Sequence, residues 1–327
     1  MAKLETTYMG IKLKNPIIVS SSGLTNTIEK IKKIEEAGAG AVVLKSLFEE
    51  QINFDAGNYL NQGQNDYPEA EDYVRNYVKN NTVDSYLELI ETAKIKTKIP
   101  IIASINCVSA SDWTSFASKI EKAGADGLEL NINIVPTDKE KSSAEIEKTY
   151  FEILEKVKAS TKLPVAVKIG QQFSNILYLV NQLHYRKADA VVLFNRFYEP
   201  DINATKLEMD SASVFSHPSD LRHSLRWIGI ISDKIEKIDI AGSTGVHDGE
   251  AAFKQILAGA SAVQVCSVLY KKGVKEISNI VTELEKWMEK HKFSSIADFK
   301  AKMNYSKIGN PLVYQRSQFM KYFSSME

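Results

Sequence analysis

The sequence predicts an α/β fold, a single (β/α)₈ TIM barrel with an N-terminal β-hairpin and long loops on its C-terminal face. Two observations carry that prediction: two short patterns alternate along the chain, and helical patterns fill most of the gaps between them. One pattern opens on a basic residue, often with proline, and continues as an apolar run: KNPIIVS from Lys14, KIPIIAS from Lys98, KLPVAVK from Lys162 and KIDIAGS from Lys237. The other opens on small residues: AGAGAVVL from Ala37, AGADGLEL from Ala123, KADAVVLF from Lys187 and AGASAVQV from Ala258. Interleaved, they give eight short apolar runs, mostly rich in Val and Ile. That is the pattern of parallel strands buried on both faces.

The elements follow in chain order. Residues 4–14 alternate apolar and polar around Met9-Gly10, a hairpin placed to plug the bottom of the barrel. Residues 26–37, 111–123, 142–161, 174–187 and 248–258 carry apolar side chains at three- and four-residue spacing. Several open on Ser, Asn or Asp, whose side chains cap the free amides of a first turn. Proline at the first strand residue is one of the few sheet positions that tolerates a missing N–H. Three connections are long: 46–82, 132–141 and 195–219. They follow the second, fourth and sixth runs and so lie on the C-terminal face, where long loops serve as lids or binding loops. From Gly273 the chain reads as a helical tail, with residues 310–327 a mobile polar end. Regular strand–helix units without a composition shift favour one closed barrel over residues 1–327 rather than an open doubly wound sheet.

Composition excludes several classes. Lys+Arg and Asp+Glu both number 41, which gives no reason to expect a nucleic-acid partner. Two distant cysteines, Cys107 and Cys266, lack metal-ligand spacing and are too few for an iron–sulfur cluster, which takes about four thiolates. No metal site is expected. The first residues form no signal core, and no stretch reaches the ~18 apolar residues of a membrane span. The expectation is a cytoplasmic protein without a membrane partner.

Two groups of residues point to chemistry. Gly242-Ser243-Thr244-Gly245 follows the seventh run and Cys266-Ser267 the eighth, each leading into a helix. On adjacent barrel strands these turns bring backbone N–H groups to one point, a ready anion site. Either turn alone could merely serve tight geometry; together they favour a phosphate. Polar residues also end the strands: Ser21-Ser22-Gly23, Lys45, Asn106, Asn131, Lys168 and Asn195. A lysine closing a buried strand is costly to desolvate unless it faces a cleft or an anion. Converging on one mouth, two lysines and three amides suit a planar polar ring.

At this point the sequence resembles the class 1 dihydroorotate dehydrogenases, FMN-dependent barrels, over nearly its whole length. The matching phrases are NPIIVSSSG, VVLKS, SIN, EKAGADGLELNI, VAVKI, STGVHDGE, LAGASAVQVCS and SSIADFKAKM, in order. The resemblance implies FMN, with Lys45 and Lys168 lining its ring and Lys168 stabilising negative charge at the N1/O2 edge of the reduced form. It implies that Asn131 and Asn195 line the flavin and substrate pocket, and that Ser21, Ser22 and Gly23 contact the ring through the backbone. Asn106 belongs to the same cofactor set. Thr244, Gly245, Cys266 and Ser267 match the phosphate turns, and Ser216 a ribityl or phosphate contact. It also implies a small-molecule substrate, pyrimidine biosynthesis, a homodimer, and reoxidation by a small acceptor or a separate electron-transfer subunit.

The departures fall on the substrate side. The family reads Asn-x-Ser-Cys-Pro-Asn after the fourth strand, its cysteine being the base; here the segment is Asn131-Ile132-Asn133-Ile134-Val135-Pro136. Ile134 cannot take a proton, the serine base of the class 2 enzymes is also absent, and the orotate-binding asparagine becomes Pro136. The substrate-binding asparagine of the loop after strand 2 has only Asn65 and its neighbours as counterparts, in a changed context. Neither Cys107, His217 nor Asp138 makes a convincing substitute base. Three functions stay open: a dehydrogenase with a changed substrate, a silent flavin-binding or regulatory protein, and a phosphate-binding lyase using Lys45 or Lys168 as a Schiff-base amine.

Overall fold

A computed structural model describes residues 2–48, 83–107 and 114–316. Eight parallel strands close on themselves: β1 (Ile17–Val19), β2 (Ala41–Val43), β3 (Ile101–Cys107), β4 (Gly127–Ile132), β5 (Val165–Ile169), β6 (Ala190–Leu193), β7 (Asp239–Gly242) and β8 (Ala262–Val265). Each pairs with the next, and β8 returns to β1 with Val263 beside Ile17. All eight lie on the predicted runs. The prolines sit just before their strands and still serve as acceptors: Pro16, Pro100 and Pro164 take the N–H groups of Val263, Val42 and Leu128.

The outer helices are α1 (Ile28–Glu36), α2 (Val83–Lys96), α3 (Thr114–Lys122), α4 (Ser143–Ser160), α5 (Ile176–Tyr185), α6 (Leu221–Lys234), α7 (Gly249–Ala258) and α8 (Glu276–Lys290). Side chains cap four of them: Thr27, Ser142, Asn175 and Asp248 each accept a first-turn N–H. Ser142 and Glu145 complete a reciprocal capping box. Where the sequence predicts a mobile end from residue 310, Leu312–Gln315 forms a helical turn and Tyr314 packs over Gly229 of α6. A hairpin of Pro200–Asn203 with Glu208–Ser211 interrupts the loop after β6, unforeseen because its residues are almost all exposed.

The barrel interior is layered. Thr6–Tyr8 and Ile11–Leu13 form the predicted hairpin, whose two-residue turn puts both Met9 and Gly10 at positive φ. Its Tyr8, Met9 and Leu13 share an inner cluster with Ala41, Ala166, Ala190, Ala241 and Ala262, small residues that leave room for the plug. At Gly127 a Cβ would come within 2.9 Å of Met9 Cε, so the plug also depends on that glycine. Above this apolar floor the inward positions turn polar: Ser20, Glu129, Lys168 and Gln264, all buried.

One gap in the sheet is filled by a side chain. Strand β2 ends at Val43, and pairing to β3 resumes only at Leu47–Phe48. Between them Tyr86 of α2 accepts the Ser104 N–H at 2.7 Å and donates to the Ser104 carbonyl at 3.1 Å. Burial, above all, pushes its ionisation up, so the phenol stays a donor. Tyr86→Phe leaves both backbone groups unsatisfied and is expected to cost about 1–3 kcal/mol, measurable by chemical denaturation. An unchanged stability would refute this role.

Candidate active site

The register sets the polar residues abreast. Asn106, Asn131 and Lys168 are successive cross-strand partners on β3, β4 and β5, so all three reach the mouth at one height. Asn195, just beyond β6, donates from Nδ2 to Asn131 Oδ1 at 3.0 Å. Lys168 Nζ donates to Ser20 Oγ at 3.0 Å and Gln264 Oε1 at 3.1 Å, and lies 3.7 Å from Glu129 Oε1. Ser21, Ser46 and Ser104 form a hydroxyl chain with separations of 2.9 and 2.8 Å.

A cavity of about 400 Å³ runs from Lys168 to the turns after β7 and β8. That is within the ~300–1,000 Å³ usual for small-molecule sites. Of the predicted site residues, Ser21, Lys168, Asn195, Ser216, Thr244, Gly245, Cys266 and Ser267 line it. Phe215 and Tyr270, with ring centroids 5.4 Å apart, add an aromatic wall. Gly23 sits where a Cβ would be 3.0 Å from the Tyr270 hydroxyl. Ser22 caps the 3₁₀ turn Gly23–Thr25. Burial pushes the neighbouring Cys266 thiol up, a shift that the Ser22 hydroxyl and the Lys168 charge partly offset. Lys45 lies apart, lining a separate cavity with Asn26, Ser46 and Tyr86. Asn65 lies outside the described residues.

The far end has the features of an anion cradle. Thr244 and Gly245 are successive left-handed residues, at φ 71° and 79°. Consecutive N–H groups in such turns can converge on an anion. The Thr244 hydroxyl donates to the Phe194 carbonyl at 3.0 Å, which holds the turn on β6. Ser216 is fixed from three sides: its N–H donates to Ser267 Oγ, its hydroxyl meets His247 Nε2, and its carbonyl accepts Lys271 Nζ, each at 3.0 Å. Burial, reinforced by Lys271, pushes the His247 pKa down, so the imidazole is held neutral.

Around Ile134 the chemistry is different. With Asn133, Pro136, Tyr150, Gly170, Phe173 and Phe197 it lines a small cavity of about 80 Å³. Its N–H donates to the Tyr150 hydroxyl at 3.3 Å. Burial pushes that phenol's pKa up, so it offers no base near neutrality. Among the described residues no group of three or more His, Cys, Asp or Glu could hold a metal, and no helix is long and apolar enough to cross a membrane.

The sequence reading passed over Ser20, Glu129 and Gln264. The signal was present: Glu129 and Gln264 are polar residues inside GLEL and AVQV, where a side chain facing a barrel interior is costly unless paired. Phe215 and Tyr270 left no such signal.

A closed barrel with a buried lysine in its mouth and left-handed turns beyond β7 has the layout in which barrel enzymes frequently place a phosphate site, after strands 7 and 8. Comparison narrows this class. The family model for dihydroorotate dehydrogenase matches residues 3–288. A Thermoplasma acidophilum protein named dihydroorotate dehydrogenase B (NAD(+)), catalytic subunit, is 30% identical over 305 residues, covering 91% of this chain and 98% of its own. A Methanocaldococcus jannaschii protein of the same name is 29% identical, covering 86% and 92%. Dihydroorotate dehydrogenase A (fumarate) of Lactococcus lactis subsp. cremoris is 24% identical, covering 92% and 99%. The chain belongs to the dihydroorotate dehydrogenase family, and it is an oxidoreductase of that type.

Proposed function

We propose that the protein is an FMN-dependent dehydrogenase that oxidises a CH–CH bond, with a substrate other than dihydroorotate as its best one. The cavity joining Lys168 to the Thr244–Gly245 turn is the observation that carries the cofactor half. The donor set fits FMN: an ammonium and paired amides at the ring end, and left-handed N–H groups and serine hydroxyls at the phosphate end. Asn106 Oδ1 is buried without a partner among the described residues, an orphan acceptor of the kind an imide N–H satisfies.

When bound, FMN supplies the acceptor for a hydride from substrate carbon. Lys168 would hold positive charge against the negative charge that reduction develops. Asn131 and Asn195, already bonded to each other, would orient the polar edge of ring or substrate. Thr244, Gly245, Ser216 and Ser267 would anchor the phosphate. Glu147 is the one carboxylate among the described residues lining the Ile134 cavity, and it does not stand at the family's base position. The loss of that base supports the changed substrate and equally favours a second reading, a silent flavin-binding protein. The Schiff-base lyase is disfavoured at Lys168, whose Nζ is engaged by Ser20 Oγ, Gln264 Oε1 and the Glu129 carboxylate rather than free to attack a carbonyl. Two of the relatives are named as catalytic subunits, which supports a partner subunit as one route of reoxidation. A homodimer rests on the resemblance alone.

The test is anaerobic addition of dihydroorotate to the FMN-loaded protein. Slow or absent bleaching is expected; bleaching at an ordinary enzymatic rate would refute the changed substrate.

A further inference from the structure

The polar layer beneath the mouth has a direction built into it. Gln264 Oε1 accepts from Lys168 Nζ at 3.1 Å and from the Ser20 hydroxyl at 3.0 Å. Its Nε2 donates to Glu129 Oε2 at 2.5 Å. An amide has one accepting and one donating end. Here the accepting end faces a cation and the donating end faces an anion, and a flipped amide would oppose both. Glu129 therefore fixes the orientation of Gln264, and Gln264 fixes where the Lys168 ammonium points. The direct approach of Lys168 to Glu129 is 3.7 Å, within ion-pair range and too long for a hydrogen bond. The carboxylate acts on the ammonium by its charge and through the amide.

The pair is buried, with Glu129 1% and Lys168 6% exposed. Among the described residues, Glu129 is the one carboxylate within ion-pair distance of Lys168. Beneath it stands Tyr8, whose hydroxyl is buried without a partner. Burial first, and the Glu129 charge second, push that phenol's ionisation well up, so Glu129 meets a neutral group on the hairpin side rather than a second cation. Gln264 and Lys168 line the cavity, whereas Glu129 does not.

We propose that Glu129, acting through Gln264, is a positioning residue that keeps the Lys168 ammonium aimed into the cavity, and so sets how readily the bound flavin is reduced. The inference rests on the FMN reading above. Removing one member of a buried ion pair leaves the other uncompensated. An ammonium left in that position withdraws toward water. That takes positive charge away from the mouth and makes reduction harder.

The experiment compares the midpoint potential of full-length FMN-loaded wild type, E129Q, K168M and the double variant, by anaerobic titration against a reference dye. E129Q is expected to make reduction about tenfold less favourable, a fall of about 30 mV for a two-electron couple. K168M should move it the same way and at least as far, and the double variant no further than K168M, because Glu129 acts through Lys168. No shift in E129Q, an upward shift, or an E129Q effect that persists in the K168M background would overturn the proposal. Should E129Q fail to fold, Q264M removes the relay without changing charge and is expected to lower the potential; an unmoved value there overturns the proposal equally. Wild type that binds no FMN overturns the cofactor reading itself, a result distinct from a loaded protein whose potential ignores Glu129.

Discussion

Ile134→Cys is expected to raise the rate of flavin reduction by dihydroorotate by about 10²–10⁴, the usual worth of a positioned general base. The backbone at 134 is already anchored, because its N–H donates to the Tyr150 hydroxyl at 3.3 Å. Substitution therefore changes the side chain without freeing the loop. Ile134 is half-buried against the core, so the smaller thiol leaves a modest void whose cost, about 1 kcal/mol, does not threaten folding. Pro136→Asn restores a polar partner but no proton acceptor; alone it should improve substrate binding more than the chemical step. Stopped-flow absorbance under anaerobic conditions separates the two effects. I134C no faster than wild type would mean that residue 134 does not reach the substrate, and the assignment of the base position would fall.

Gly245→Ala is expected to cost about 3 kcal/mol or more, from strain and overpacking together, and to weaken cofactor retention. A Cβ there would lie 2.2 Å from Leu221 N and 2.9 Å from Asp220 C, both backbone atoms at the start of α6 that cannot swing aside. The φ of +79° adds a conformation that alanine adopts poorly. Gly38→Ala is the control: φ is +95° but nothing lies within 4 Å of its Cβ, so only backbone strain is felt. Denaturant unfolding of both variants decides the matter. Equal losses at the two positions would show that the close approach to α6 contributes nothing.

The barrel was legible because its punctuation is local. A basic residue with proline, or a small-residue cluster, announces each strand, and Ser142 and Asp248 lie where the sequence puts helix starts. The mouth was half legible. Strand-end lysines and amides declare themselves singly, and eight of the predicted residues share one cavity. The partnership beneath them did not show, since Gln264 lies 96 residues from Lys168 and 135 from Glu129. Only closure of the sheet makes them neighbours. The hairpin after β6 escaped for the opposite reason: with no buried face, it carries no apolar alternation to read. Lys45, two residues beyond β2, lines a cavity with Asn26, Ser46 and Tyr86, whereas Lys168 lines the one that reaches the Thr244–Gly245 turn.

The most direct measurement is the absorbance spectrum of the full-length protein purified without added cofactor, followed by extraction of whatever it holds. The account predicts a flavin spectrum, with FMN released on denaturation and its retention weakened in G245A. A colourless protein that takes up no FMN on reconstitution would contradict the central claim that the cavity between Lys168 and the Thr244–Gly245 turn is a flavin site.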